Sequence, residues 1–172
     1  AQFADLAARV AGMTPQQVAN QCYQTALGGA DAMKDDEMTA DVYNSSYEDR
    51  IKAVMDALAK ANAKTGRNPV YFVSITDEPR RIFDKAARAV ELGANGLLVC
   101  YSAGLAVLRQ LAEDPAINVP ILLHGSHMIA AQPRISWPVF AKLVRICGGD
   151  LMLTPTYWSS IPMVSMEEGI RT

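Results

Sequence analysis

Four short, almost unbroken apolar runs, preceded by a fifth, shorter one, constrain this chain more than any other feature. Val70-Tyr71-Phe72-Val73-Ser74-Ile75, Gly96-Leu97-Leu98-Val99-Cys100-Tyr101, Val119-Pro120-Ile121-Leu122-Leu123-His124 and Leu151-Met152-Leu153-Thr154 are dominated by β-branched, aliphatic and aromatic side chains. Such runs read as buried strands. Residues 31–36 make a fifth, shorter one. Strands this apolar need both faces covered, and the stretches between them supply helical crossovers, so parallel βα units are predicted.

The intervening periodicity agrees. Phe3, Leu6, Ala7 and Val10 fall at i, i+3, i+4 and i+7, which predicts a short amphipathic helix over the first ten residues, ending at Gly12. A second helix begins at Thr14, with Pro15 at its first position and Gln17 placed to close a capping box, and stops at Gly28-Gly29. Ile51, Val54, Met55 and Leu58 form one face of the next, which Gly66 ends. Glu78-Pro79 opens a helix over Ile82, Ala86 and Val90, Leu105, Leu108 and Leu111 mark another, and Phe140, Leu143, Val144 and Cys147 the last. No repeat, low-complexity tract or Gly/Ser linker divides the chain, so residues 1–172 are expected to form one α/β domain.

Charge and cysteine usage narrow the class. A net charge of -2 offers no electrostatic attraction to nucleic acid or to an anionic membrane. No apolar run approaches the ~18 residues of a membrane span and no signal-peptide pattern opens the chain, so a cytoplasmic protein is expected. Cys22, Cys100 and Cys147 are odd in number, far apart and set among apolar neighbours, which predicts buried free thiols rather than disulfides or zinc ligands.

Polar residues collect where strands end, where parallel α/β architectures build their sites. The densest group is Lys34-Asp35-Asp36-Glu37, after the first of the five strands. Alternation puts Asp36 on the same side as Lys34. Two carboxylates there can offer hard oxygen ligands to Mg²⁺. A lysine beside them would repel the ion unless neutralised or modified. The plainer reading, a solvated acidic loop capping a helix with a surface lysine, accounts for the same spacing and stays open at this level.

Four collinear segments carry a resemblance. Gly28-Gly29-Ala30-Asp31-Ala32-Met33-Lys34-Asp35-Asp36-Glu37 resembles the metal motif of the RuBisCO large-chain and RuBisCO-like superfamily. Arg88-Ala89-Val90-Glu91-Leu92-Gly93-Ala94 is similar to that family's segment before its fourth strand, Pro120-Ile121-Leu122-Leu123-His124 to its fifth strand, and Lys142-Leu143-Val144-Arg145-Ile146-Cys147-Gly148-Gly149-Asp150 to its entry into the sixth. The resemblance spans about residues 11–165. It implies an incomplete (β/α)₈ barrel of about five strands. The open edges would be managed either by a flat sheet covered on both faces or by association of two copies. It also implies that Lys34 takes up CO₂ as a carbamate, and that Asp36 and Glu37 complete the protein ligands of Mg²⁺. The substrate class it implies is a phosphorylated ketose.

Departures from the pattern define the branch. Carboxylating members continue from the fifth strand into a His-Arg pair. Here Gly125 follows His124, and Ser126 and His127 occupy the pair's positions. The resemblance therefore points to RuBisCO-like enolisation or isomerisation rather than CO₂ fixation, with His127 as acid/base candidate. A satisfied barrel histidine is the plainer reading of His124, and a structural hydrogen bond that of His127. The family's Lys-Pro-Lys stretch would fall at Ala8, Arg9 and Val10, where the local pattern is helical, and no lysine follows Lys142. Residues 1–12 are thus expected to be an extra or altered helix. The whole is expected to be a catalytically incomplete fragment, natural or engineered, with an active Mg²⁺-dependent RuBisCO-like enzyme as the alternative. Tyr157 and Trp158 are expected to cover apolar edges rather than stack on substrate, and Trp137 to pack in the core. Asp77-Glu78 at the end of the second strand takes no assigned role.

Overall fold

The computed structural model describes residues 3–5, 12–37, 41, 45–125, 135–153 and 167. Strands β1 (Phe3–Asp5), β2 (Ala32–Lys34), β3 (Val70–Ser74), β4 (Leu97–Cys100), β5 (Ile121–His124) and β6 (Leu151–Met152) alternate with helices. The helices are α1 (Pro15–Leu27), α2 (Tyr47–Thr65), α3 (Pro79–Glu91), α4 (Leu105–Glu113) and α5 (Trp137–Ile146). Local chemistry sets the helix ends. Thr14 accepts a hydrogen bond from Gln17 N, and the Gln17 side chain accepts one from Thr14 N at 2.8 Å, so the capping box predicted for α1 is formed. Ser46 caps α2, whose far end turns at Gly66 with φ 68°, a backbone conformation open mainly to glycine.

All five expected strands are present, and β1 adds a sixth. Residues 3–5 are strand where the apolar spacing predicts helix. They pair in parallel with β2, Phe3 with Ala32, Ala4 with Met33 and Asp5 with Lys34. The reason is tertiary: without β1 the edge of β2 would leave its backbone N–H and C=O groups without ladder partners, and satisfying them outweighs a weak local helical preference.

The sheet runs in chain order, β1-β2-β3-β4-β5-β6, every pairing parallel. Right-handed crossovers that always step the same way put every helix on the same face, whereas a sheet covered on both faces needs the strand order to reverse. Of the two forms expected for the open edges, the doubly covered flat sheet is therefore not the one formed among the described residues. Met33, Tyr71, Val73, Leu97, Val99, Ile121 and Leu123 face the buried side chains of α1–α5 in one core. The alternate positions Phe72, Leu98 and Leu122 form a smaller cluster with Ala32, Val70 and Leu153, drawn from strands and their ends alone. The result is a curled half-barrel with helices outside and a strand-lined concave face. Trp137 is buried at the start of α5, as expected. No described helix is long and apolar enough to cross a membrane.

Candidate active site at the strand ends

Alternation along the parallel strands decides what the concave face presents at its C-terminal rim. Inward positions end in Lys34 on β2, Ser74 on β3, Cys100 on β4 and His124 on β5; Cys100 and His124 are direct ladder partners, whereas Lys34 stands opposite Phe72 and Ser74 opposite Leu98. All four converge on Glu37, in the turn after β2. Lys34 is fully buried and its Nζ lies 3.2 Å from Glu37 Oε2, while also donating to the Asp35 carbonyl at 3.2 Å. His124 Nε2 reaches the same Glu37 oxygen at 3.5 Å. The Glu37 backbone carbonyl accepts from Ser74 Oγ at 3.5 Å and from the Cys100 thiol at 3.7 Å. One residue thus ties together four strand ends.

The electrostatics follow from that crowding. Burial opposes ionisation of Glu37, but a backbone hydrogen bond, His124 and Lys34 outweigh it and hold the carboxyl below its ordinary 4.5. Lys34 and Glu37 therefore stand as an ion pair, with His124 sharing the carboxylate. Asp36 is half-buried beside them.

Asp35 faces the other way, into the helix layer. Its Oδ2 receives Arg50 Nε and Nη2, each at 3.1 Å, and the Ser74 N–H at 3.5 Å, and both side chains of the pair are fully buried. Arg50 Nη1 also donates to the Ser45 carbonyl at 3.0 Å, tying the start of α2 to the end of β2. Burial pushes the Asp35 carboxyl up, only partly offset by the Arg50 guanidinium. The Tyr71 phenol beside it is pushed well up by burial and by the Asp35 charge. Tyr71 lies near enough to influence both partners, yet its hydroxyl and Asp35 Oδ1 lack a hydrogen bond of good geometry.

Of the candidate residues, Lys34 and Glu37 meet with His124, and Asp36 adjoins them; His127, Tyr157 and Trp158 lie outside the described residues. Asp77 on the rim is engaged by Lys85 at 2.8 Å and Arg81 at 3.7 Å, and Glu78 is the N-cap of α3. Ser74, Cys100 and Arg50 are the members that sequence reasoning misses. Ser74 and Cys100 stand 37 and 63 residues from Glu37, so nothing local marks them. Arg50 carries a signal: a lone arginine inside the apolar stripe of Tyr47, Ile51, Val54 and Leu58 must have a buried partner. Among the described residues, no three His, Cys, Asp or Glu side chains group closely enough to hold a metal ion.

The fold and rim define a parallel (β/α) half-barrel with an acid–lysine–histidine cluster at its strand ends. The family model of the ribulose bisphosphate carboxylase large chain, catalytic domain, matches residues 10–161, and the chain belongs to that family. It is 38% identical over 160 residues to a ribulose bisphosphate carboxylase-like protein of Archaeoglobus fulgidus, covering 90% of this chain and 36% of the relative. It is 34% identical over 160 residues to a 2,3-diketo-5-methylthiopentyl-1-phosphate enolase of Bacillus pumilus, covering 90% of this chain and 39% of the relative. A solved RuBisCO-like protein from Alicyclobacillus acidocaldarius superposes with a TM-score of 0.86 at 30% identity, over 99% of this chain and 44% of that one. A dimeric archaeal RuBisCO from Hyperthermus butylicus superposes with a TM-score of 0.77 at 27% identity, over 88% and 37%. The chain spans a little over a third of the length of these curated relatives.

Proposed function

We propose that the rim cluster is the metal-binding half of a RuBisCO-like enolase-type site acting on a phosphorylated ketose, not a CO₂-fixing one. The supporting observation is the convergence of Lys34 and His124 on Glu37 at the C-terminal ends of parallel strands. Asp36 and Glu37 supply two carboxylates and Lys34 the third donor as its carbamate. This donor set fits a hard divalent cation. As an ammonium, Lys34 satisfies Glu37 by charge; as a carbamate it becomes an anionic oxygen donor, and the group of anions then needs a cation between them. Mg²⁺ bound there supplies Lewis-acid polarisation of a ketose carbonyl.

The chain's own residues do the rest. Ser74 and Cys100 hold the Glu37 turn by its carbonyl, so the carboxylate keeps its place when Lys34 changes charge. His124 stands beside the same carboxylate and can take or give a proton at the concave face, while His127 is the further acid/base candidate for moving a proton at the substrate carbon. The enolase named among the relatives is the activity this reading draws on.

A second reading is favoured by the closed ion pair between Lys34 and Glu37: the cluster is structural, and the chain turns over no substrate as it stands. A thermal melt separates the two. Bicarbonate plus Mg²⁺ should raise the melting temperature of the wild-type protein, neither additive should do so alone, and Lys34→Ala should abolish the rise. Equal melts with and without both additives would leave the structural reading.

A further inference from the structure

The described contacts of Arg50 run to Asp35 and to the Ser45 carbonyl, on the helix side of the sheet, yet they bear on where the concave-face residues point. Side chains alternate across a strand, so the face taken by one residue dictates the faces of its neighbours. Regular β2 ends at Lys34. Beyond it the backbone is held on the concave side by Lys34, Ser74 and Cys100 on the Asp35 and Glu37 carbonyls, in the sheet by Asp35 N on the Phe72 carbonyl at 2.9 Å, and on the helix side by the Asp35 side chain. That side chain is clamped on the helix side between Arg50 of α2 and the Ser74 N–H of β3. With Asp35 clamped outward, Lys34 stays inward, where it meets Glu37.

The clamp is built as a constraint more than as a stabiliser. Both side chains of the pair are fully buried, so both charges have given up their water. Two of the three Arg50 nitrogens, Nε and Nη2, engage the same oxygen, and Oδ1 has no partner of good geometry. A buried pair with such imperfect satisfaction contributes little net stability, and apolar side chains of similar volume hold a fold as well or better. Its directional bonds, however, restrict the turn to one orientation, which apolar packing does not.

We propose that Arg50 is a positioning residue of the strand-end site: by clamping Asp35 on the helix side of the sheet, it holds Lys34 on the concave side with Glu37. This rests on the metal-site reading above. Removing such a support around a metal ligand set weakens metal binding by about 10–100-fold while the ligands themselves remain.

The experiment uses the whole chain, ¹³C-bicarbonate and Mg²⁺, with two readouts. The carbamate carbon of Lys34 is followed by NMR, and the Mg²⁺ concentration at half-maximal thermal shift is measured. The variants are Asp35→Leu/Arg50→Met, which replaces the pair by apolar side chains, and Arg50→Lys, which keeps the charge and loses the fork. The double variant is expected to melt near the wild-type temperature without additives, to lose most of the carbamate resonance, and to need about 10–100-fold more Mg²⁺. Arg50→Lys is expected to fall between. Should the double variant fail to fold, Arg50→Lys decides alone by the same midpoint. Wild-type midpoints and a full resonance in the folded variants would overturn the positioning role while leaving the metal site intact. No carbamate resonance and no Mg²⁺ shift in the wild-type protein itself would overturn the metal reading and this proposal with it.

Discussion

Replacing Gly148 by alanine tests how tightly the α5–β6 connection is seated against α4. Gly148 has φ 92°, and a Cβ placed on it would stand 2.3 Å from the Cβ of Ala112. Ordinary carbon–carbon contacts lie at about 3.5–4.0 Å, so one side must give by more than an ångström. Neither can do so cheaply. The Ala112 methyl has no rotamer to escape into, and the Gly148 backbone is held by its N–H on the Arg145 carbonyl at 3.1 Å and by Gly149 N–H on the Val144 carbonyl at 3.0 Å. Overpacking of this kind costs about 1–3 kcal/mol, and a left-handed backbone at a residue with a Cβ adds about 1–2 kcal/mol. A total near 3 kcal/mol lowers Tm by roughly 6–12 °C in a domain of this size. Thermal denaturation followed by circular dichroism measures it. Ala112→Gly isolates the steric part: alone it costs about 1 kcal/mol as a helix glycine, but in the Gly148→Ala background it removes the colliding methyl. A coupling energy of about 1–3 kcal/mol is expected from the double-mutant cycle. A drop under ~2 °C for Gly148→Ala, or strict additivity in the cycle, would refute the steric argument.

The three cysteines should differ sharply in reactivity. Cys22 and Cys100 are buried, and burial followed by the Asp35 charge pushes the Cys22 thiol up to about 12, whereas Cys147 is half-buried. A thiol-reactive disulfide reagent at pH 8 should titrate one thiol in the native protein and three after denaturation; two or three native equivalents would contradict the packing around α1 and β4. On the outer surface, Arg88 grips Glu48 through two hydrogen bonds of 2.8 and 2.7 Å and holds its carboxyl down at about 2. Because the folded value lies below the ordinary 4.5, the bridge's contribution is in place above that pH and is lost as pH falls towards 2. Carboxyl NMR should place the Glu48 midpoint near 2 in the wild-type protein and raise it towards 4.5 in Arg88→Ala, where Lys52 alone still holds it down, with little change in Tm, since exposed pairs stabilise weakly. An unshifted wild-type midpoint would show that the bridge does not persist in solution.

Local rules carry a large part of this molecule. The capping box at Thr14 and Gln17, the proline starts of α1 and α3 and the left-handed stop at Gly66 are interactions within a few residues, so spacing suffices to place them. The apolar runs mark their strands because parallel strands under helices bury both faces, and a run of Lys-Asp-Asp-Glu beyond such a strand lands on the rim whatever the rest of the fold does. Tertiary structure decided the remainder. Residues 3–5 became strand because β2 had an edge to pair, a demand no local window contains. The unbroken strand order put the described helices on one face and curled the sheet, where the apolar runs alone also allow a sheet covered on both sides. The partition of Lys34 inward and Asp35 outward is set by strand alternation, but the partners that give it meaning, Arg50 on α2 and Ser74, Cys100 and His124 on three later strands, meet it only through the register of parallel pairing. Residue types are local; the distances between strand ends are a property of the parallel ladder, and the chemistry of this site depends on those distances.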